Sequence, residues 1–310
     1  DEVASHLAQI NSLFTTQSDG RCYLEGRYPE IDAQCPATHL ASDLVFTINQ
    51  CHFSVKSDSE NFTAAARELF QPSISTSGQV DFHIDIIKQA NELFNLFCNG
   101  VSIAKQVPYQ GLMPELVERI QVLTYQKQDY LFCFHGAALA NEHNCLLIPG
   151  RSGAGKSTLA AQLAKRGFAL YSDEMMVLDR EFNLQPLSLP MAIKSGSWSV
   201  LAQEYPELAT QPSWQKSDGR TIKYLWPKKF ARQLSASHQL TLINPEYIED
   251  RAVINREVQL GVIETIALLT QSGYQIHKSL DLETVQQLLN YLASMSRFQL
   301  SFSRSDVALN

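Results

Sequence analysis

The stretch Cys145-Leu-Leu-Ile-Pro-Gly150-Arg151-Ser152-Gly153-Ala154-Gly155-Lys156-Ser157-Thr158 decides the reading of this chain. It fits the pattern G-x-x-x-x-G-K-[S/T], with an apolar run of strand character before it and an Ala- and Leu-rich segment to Arg166 after it that reads as a helix. Strand, glycine loop and helix in that order suit a polyphosphate. Gly150, Gly153 and Gly155 let the backbone turn tightly and aim successive N–H groups at one anion. The helix starting near Lys156 adds its positive dipole end. Arg151, Ser152, Ala154 and Thr158 complete the expected nucleotide-binding loop. Lys156 is expected to neutralise β- and γ-phosphate charge, and the Ser157 hydroxyl to bind Mg2+. A glycine-rich turn that binds nothing gains no stability from a helix-starting lysine flanked by glycines, so nucleotide binding is the stronger reading. No [N/T]-K-x-D element that would read guanine follows, which favours ATP over GTP.

A phosphate loop needs an acid nearby for metal and nucleophile, and Phe168-Ala-Leu-Tyr171-Ser-Asp173-Glu174 supplies one just after Gly167 closes the helix. Two adjacent carboxylates on a solvated turn usually mean nothing. Here the apolar approach to the strand end marks Asp173 as the residue to orient Mg2+ or accept a hydroxyl proton. Glu174 reads equally as a second metal ligand or as surface charge. His135, in Leu131-Phe-Cys-Phe-His135-Gly136, taken alone reads as a hydrogen-bonded core histidine.

Composition narrows the partners. With 310 residues, 45% hydrophobic and 18% charged, the chain can bury a real core without disulfide staples. A formal net charge of -7 opposes a nucleic-acid partner. The six cysteines are scattered, form no CxxC pair and read as free thiols, with Cys133 and Cys145 as small core residues. No apolar stretch reaches the about 18 residues that a membrane helix needs, and no basic-then-apolar leader opens the sequence, so a cytoplasmic protein with no membrane partner is expected. The chain opens on Asp1 rather than methionine, so a few residues are expected to precede it.

Two regions are expected. Residues 1–128 carry short β-type runs (Leu44 to Val55 around Asn49-Gln50, Gln79 to Ile87, Val101 to Val107) and a short helix over Asn61 to Leu69, which read as a small α+β module for substrate or partner recognition. A helix over Pro114 to Tyr125, with Pro114 in its first turn, leads into 129–310. There, near-continuous apolar strands (Leu131 to Leu139, Cys145 to Ile148) alternate with helices over Lys156 to Arg166, Glu257 to Leu269 and Leu282 to Met295, with a last strand over Phe298 to Ser303. That is an α/β pattern with a sheet covered on both faces.

From His135 to Glu174, about forty residues, the sequence resembles the catalytic segment of the HPr kinase/phosphorylase family, a branch of the phosphoenolpyruvate-carboxykinase-like P-loop proteins. His135-Gly136, the Gly150 to Ser157 loop, Arg166-Gly167 and the acidic pair all stand at the family's spacing without gaps. Ala137-Ala138 and Ser172-Asp173-Glu174 look closer still to the HPr-kinase-like proteins of peptide-modification and polysaccharide gene clusters. The resemblance implies a P-loop kinase domain with a mixed sheet and transfer of phosphate from ATP, with Mg2+, to a serine hydroxyl of a peptide or small protein. It implies Asp173 as the catalytic base, Glu174 on the family's second aspartate, and His135 as the histidine that holds phosphate and carboxylate in place.

The chain also departs from that family. The glycine-rich signature segment expected after Asp179 is absent, and residues 1–130 do not resemble the classical N-terminal domain, so HPr itself and the reverse phosphorolysis are not implied. Lys194, at a strand end, and Arg220, on a turn, read evenly as phosphate or substrate contacts and as surface charge. Lys228, Lys229 and Arg232 read as solvated surface, and Arg251 and Arg256 as weak candidates. A kinase of a small-molecule hydroxyl and a non-catalytic ATP-binding regulator remain as alternatives, and a homo-oligomer is compatible with the sequence.

Overall fold

The computed structural model describes residues 43–75, 78–128, 130–150, 153–231, 238–248, 255–276 and 281–303. Alternating apolar residues from Leu44 onward build the first sheet: β1 (Asp43–Ile48), β2 (Cys51–Ser57), β3 (Phe82–Lys88), β4 (Phe94–Cys98) and β5 (Val101–Val107), hydrogen-bonded in that order. Only β2 and β3 run parallel, and the crossover this requires is α1 (Glu60–Phe70), capped by the Ser59 hydroxyl accepting the Phe62 N–H. Its buried Phe62, Ala66 and Phe70 lie on one stripe facing the sheet.

The next helix, α2 (Tyr109–Lys127), corrects the expected start at Pro114: it begins five residues earlier and carries that proline inside it. Gly111 and Pro114 both fall inside it, where Leu112, Met113 and Leu116 are buried in the core of the first sheet and Pro114 is buried as well. Their burial outweighs the one backbone hydrogen bond that the proline forgoes.

The rest of the chain follows as β6 (Tyr130–Ala140), β7 (Asn144–Pro149), α3 (Lys156–Lys165), β8 (Ala169–Ser172), β9 (Met175–Asp179), β10 (Leu184–Gln185), β11 (Met191–Lys194), α4 (Trp198–Leu201), β12 (Trp214–Gln215), β13 (Thr221–Leu225), β14 (Gln239–Tyr247), β15 (Asn255–Gln259), α5 (Val262–Ser272), β16 (Tyr274–Ile276), α6 (Leu282–Ala293) and β17 (Ser296–Phe302). A nine-stranded sheet runs β10-β9-β6-β7-β14-β17-β15, with β8 and β16 also pairing with β6. The β7–β14 and β14–β17 pairs are parallel and the others antiparallel, so the sheet is mixed and the chain is a mixed α/β protein with six α-helices among the described residues.

The segment expected as a helix from Glu257 is a strand as far as Gln259: β15 pairs antiparallel with β17, and α5 starts only after Gly261, whose N–H donates to Glu264 Oε2 at 2.7 Å. Strand β6 is the hub, and every one of its residues is buried except His135. Its Phe132, Phe134 and Ala138 face α5 and α6, whereas Ala137 and Leu139 face α3, so both sides of the sheet are covered.

The small sheet β11-β13-β12 lies between the two large ones. Ala192, Trp214, Ile222 and Tyr224 join the core of the first sheet and α2, and Met191, Ile193 and Leu225 join the core under α3. Residues on either side of position 128 therefore share one core. Cys51, Cys98, Cys133 and Cys145 are buried free thiols, and Cys22 and Cys35 lie outside the described residues. Among the described residues no helix is long and apolar enough to cross a membrane.

Candidate functional site

Strand β7 ends at Pro149 and the glycine loop follows, with Gly150, Gly153 and Gly155 at φ 144°, 96° and 88°. Arg151 and Ser152 lie outside the described residues. A Cβ on Gly150 would stand 3.3 Å from Asn244 Oδ1 of β14, a tight approach, and the φ of 144° would strain any side chain there. Helix α3 opens at Lys156 with Gly155 as its cap, without a side-chain cap and without an acid in its first turn. Lys156 is only 6% exposed, and its Nζ folds back to donate to the Gly150 carbonyl at 2.6 Å. Burial draws its pKa down to about 8, although the Glu174 carboxylate opposes the shift.

The acidic pair sits where β8 passes into β9. Both strands pair with β6, which brings the pair beside His135-Gly136, and the Gly136 N–H donates to the Glu174 carbonyl at 3.0 Å. Asp173 is buried. Its Oδ2 accepts the Ala192 N–H of β11 at 3.2 Å, and its Oδ1 is buried with no hydrogen-bond partner. Burial and the adjacent Glu174 charge raise its pKa, against the pull of the Ser157 hydroxyl, the Ala192 N–H and Lys156.

Glu174 behaves oppositely. Burial alone would raise it, but Lys216 Nζ at 3.1 Å from Oε1, with His135 and Lys194, holds it well below the usual carboxylate range. His135 Nδ1 lies 3.7 Å from Glu174 Oε2. Partial burial, with 28% of the side chain still exposed, lowers the imidazole to about 4 in spite of that carboxylate, and the charges of Lys156, Lys216 and Lys194 push the same way, so at neutral pH the contact is a neutral imidazole beside a carboxylate rather than an ion pair.

Lys194 closes β11 two residues beyond Ala192, and its pKa is lowered by burial first and by Arg220 next. Arg220 is clasped by its own Asp218, with Nε 2.6 Å from Oδ2, across the turn that joins β12 to β13. Thr158 Oγ1 is 2.6 Å from Ser197 Oγ, tying α3 to the segment after β11. Lys228, Lys229 and Arg256 are exposed, and Arg232 and Arg251 lie outside the described residues.

Sequence reasoning passed over Lys216. Its N–H donates to the Arg220 carbonyl at 2.9 Å and the Gly219 N–H returns to the Lys216 carbonyl at 2.9 Å, closing a turn with Gly219 at φ 84°. The Asp218-Gly219 dipeptide between Trp214 and Ile222 is the hairpin signal that would have set Lys216 opposite Arg220.

Lys156, Lys194, Lys216 and Arg220 thus come within electrostatic reach of one another around Asp173 and Glu174. Among the described residues no three His, Cys, Asp or Glu side chains gather to hold a metal ion unaided. A cleft of about 560 Å³ elsewhere, lined by His52, Ile74, Ser188, Trp226 and Phe230 among others, has no lysine, arginine or carboxylate in its wall.

No family model and no curated protein matches the chain. Among solved structures it is similar to the Hpr(Ser) kinase/phosphatase from Coxiella burnetii at 14% identity and a TM-score of 0.24, over 57% of this chain and 89% of that one. So distant a likeness carries no argument and leaves the function to the site's own residues.

Proposed function

We propose that this chain is an ATP- and Mg2+-dependent P-loop kinase that transfers the γ-phosphate to a serine hydroxyl of a peptide or small protein. The observation that carries the reading is Asp173: a buried carboxylate with one oxygen unpartnered, set against Ser157 and Lys156 at the start of the glycine-loop helix. A native fold leaves few buried polar atoms unpaired, and an orphan of this kind beside a glycine loop suits a group that acts on a ligand. The peptide or protein acceptor rests on the resemblance of the segment from His135 to Glu174.

In this reading the loop N–H groups and the α3 dipole hold the phosphates, and Lys156 exchanges the Gly150 carbonyl for a phosphate oxygen. Mg2+ would be held by Ser157 and the acidic pair, a hard-oxygen set that phosphate oxygens complete, and it would supply neutralisation of β- and γ-phosphate charge. Asp173 takes the proton of the attacking hydroxyl as the new P–O bond forms and the bond to the β-phosphate oxygen breaks, releasing ADP. Its Oδ1, buried and without a hydrogen-bond partner, is the atom left to take that proton. Neutral His135 adds no charge to those already crowded there.

The test is incubation of the full chain with γ-labelled ATP, Mg2+ and a cell lysate, beside Lys156→Ala and Asp173→Asn. Label on one band with the wild type alone supports the kinase. Nucleotide binding without transfer to any peptide or protein would sink that acceptor class.

A further inference from the structure

We propose that Lys216 is a terminal-phosphate-holding residue: it leaves Glu174 for the γ-phosphate of a bound triphosphate and thereby distinguishes triphosphate from diphosphate. This rests on the nucleotide-binding reading above and deepens it.

Three observations converge. The first is where Lys216 comes from. It belongs to neither the glycine loop nor the strands that carry the acidic pair, but to a hairpin of the small middle sheet, 42 residues beyond the glutamate that it meets at 3.1 Å. The second is how firmly it is placed. The preceding strand β12 is two residues long, and its Trp214 is buried in the first core with its ring against Phe62 and Tyr109. The turn after it is closed by the paired Lys216 and Gly219 hydrogen bonds. A lysine on a free surface loop would need none of this anchoring.

The third is the company it keeps. Strand β11 docks its Ala192 N–H on Asp173, and Lys194 follows on the same strand face. Arg220 stands across the hairpin turn from Lys216, and Lys156 comes from the end of the glycine loop. Glu118 of α2 also acts on Lys216. Arg220 is taken up by Asp218, which leaves Lys156, Lys194 and Lys216 around the acidic pair, and cations brought together away from water are costly unless anions join them. Lys156 and Lys194 both show that strain, from burial first and then from neighbouring cations. Lys156 and the loop serve the phosphates near the helix end, which leaves Lys216 on the side of Asp173 and Glu174, where the transferred group and the acceptor must meet.

The experiment is equilibrium binding of the full chain to Mg-AMPPNP and to Mg-ADP, comparing wild type with Lys216→Met, Lys216→Gln, Lys216→Arg and Lys156→Ala, each first melted to establish folding. Lys216→Met and Lys216→Gln are expected to weaken AMPPNP about ten- to a hundred-fold, the range of a hydrogen bond between charged groups, and to leave ADP within about threefold. Lys216→Arg should recover most of the loss, and Lys156→Ala should weaken both nucleotides. Parallel weakening of AMPPNP and ADP, or no change in either, would make Lys216 a structural partner of Glu174 and overturn the proposal. Wild-type protein that binds neither nucleotide would overturn the nucleotide reading together with it.

Discussion

Asp173→Asn is expected to stabilise the folded protein while abolishing transfer, a combination that separates a functional carboxylate from a structural one. The group is 6% exposed, and burial followed by the Glu174 charge raises its pKa from 3.8 to about 6. At about 1.4 kcal/mol per unit, the ionised form opposes folding by at most about 3 kcal/mol. Between those two values the folded state keeps a proton that the unfolded state has already lost, so stability falls as pH rises through this window and the whole penalty is present above it. Asparagine keeps an acceptor for the Ala192 N–H and removes the charge, but its amide takes the place of the unpartnered Oδ1 at a cost of about 1 kcal/mol. The net gain at pH 8 is about 2 kcal/mol, or about 3 °C in melting temperature for a chain of 310 residues, and it passes through zero near about pH 4.5 and turns into a small loss below it. Melts of wild type and variant from pH 4 to 8 measure it, and a transfer assay at saturating ATP and Mg2+ should show a loss of about 10²–10⁴. A variant that melts below wild type at pH 8, or that transfers at near wild-type rate, refutes the reasoning.

Lys156 has its pKa drawn down to about 8, and phosphate needs the ammonium form, so nucleotide affinity should fall as pH rises above about 8, approaching tenfold per unit; calorimetric titrations at pH 7.5, 8.5 and 9.5 would show it, and a flat profile would count against a phosphate-binding Lys156. Gly136→Ala would set a Cβ 2.8 Å from the Ile148 carbonyl and 3.0 Å from Pro149 Cα, so backbone must yield. The expected cost is about 1–3 kcal/mol in urea unfolding, and because the Gly136 N–H holds the Glu174 carbonyl, transfer should fall with stability, the opposite pattern to Asp173→Asn. Thr158→Val removes the 2.6 Å link to Ser197 and is expected to cost about 1 kcal/mol, read by urea unfolding.

The parts of the site legible in the sequence are those whose cause is local. Gly150, Gly153 and Gly155 are glycine because the backbone there has positive φ, and Lys156 follows them at a helix start. Lys216 was not legible because its place depends on Trp214 reaching a core built partly from Phe62 and Tyr109, more than a hundred residues earlier. The same holds for β15, whose charged sequence Asn255-Arg-Glu-Val-Gln259 has no strand alternation of its own and is made a strand by pairing with β17.

Adjacency in sequence also hid what divides the two carboxylates. Asp173 and Glu174 occupy one short link between β8 and β9, so local reasoning singled out Asp173 but left Glu174 evenly between a second metal ligand and surface charge. In the fold, Asp173 enters the layer between β11 and the start of α3, where nothing cationic lies within hydrogen-bonding distance of its Oδ1, and Glu174 enters the gap between His135 and the β12–β13 hairpin, where Lys216 meets it. One proton affinity is driven up and the other down by which side of the link each residue faces. A pair so divided can keep one carboxylate as a standing charge that positions cations while the other receives a proton, which is the division of labour that a transfer site needs.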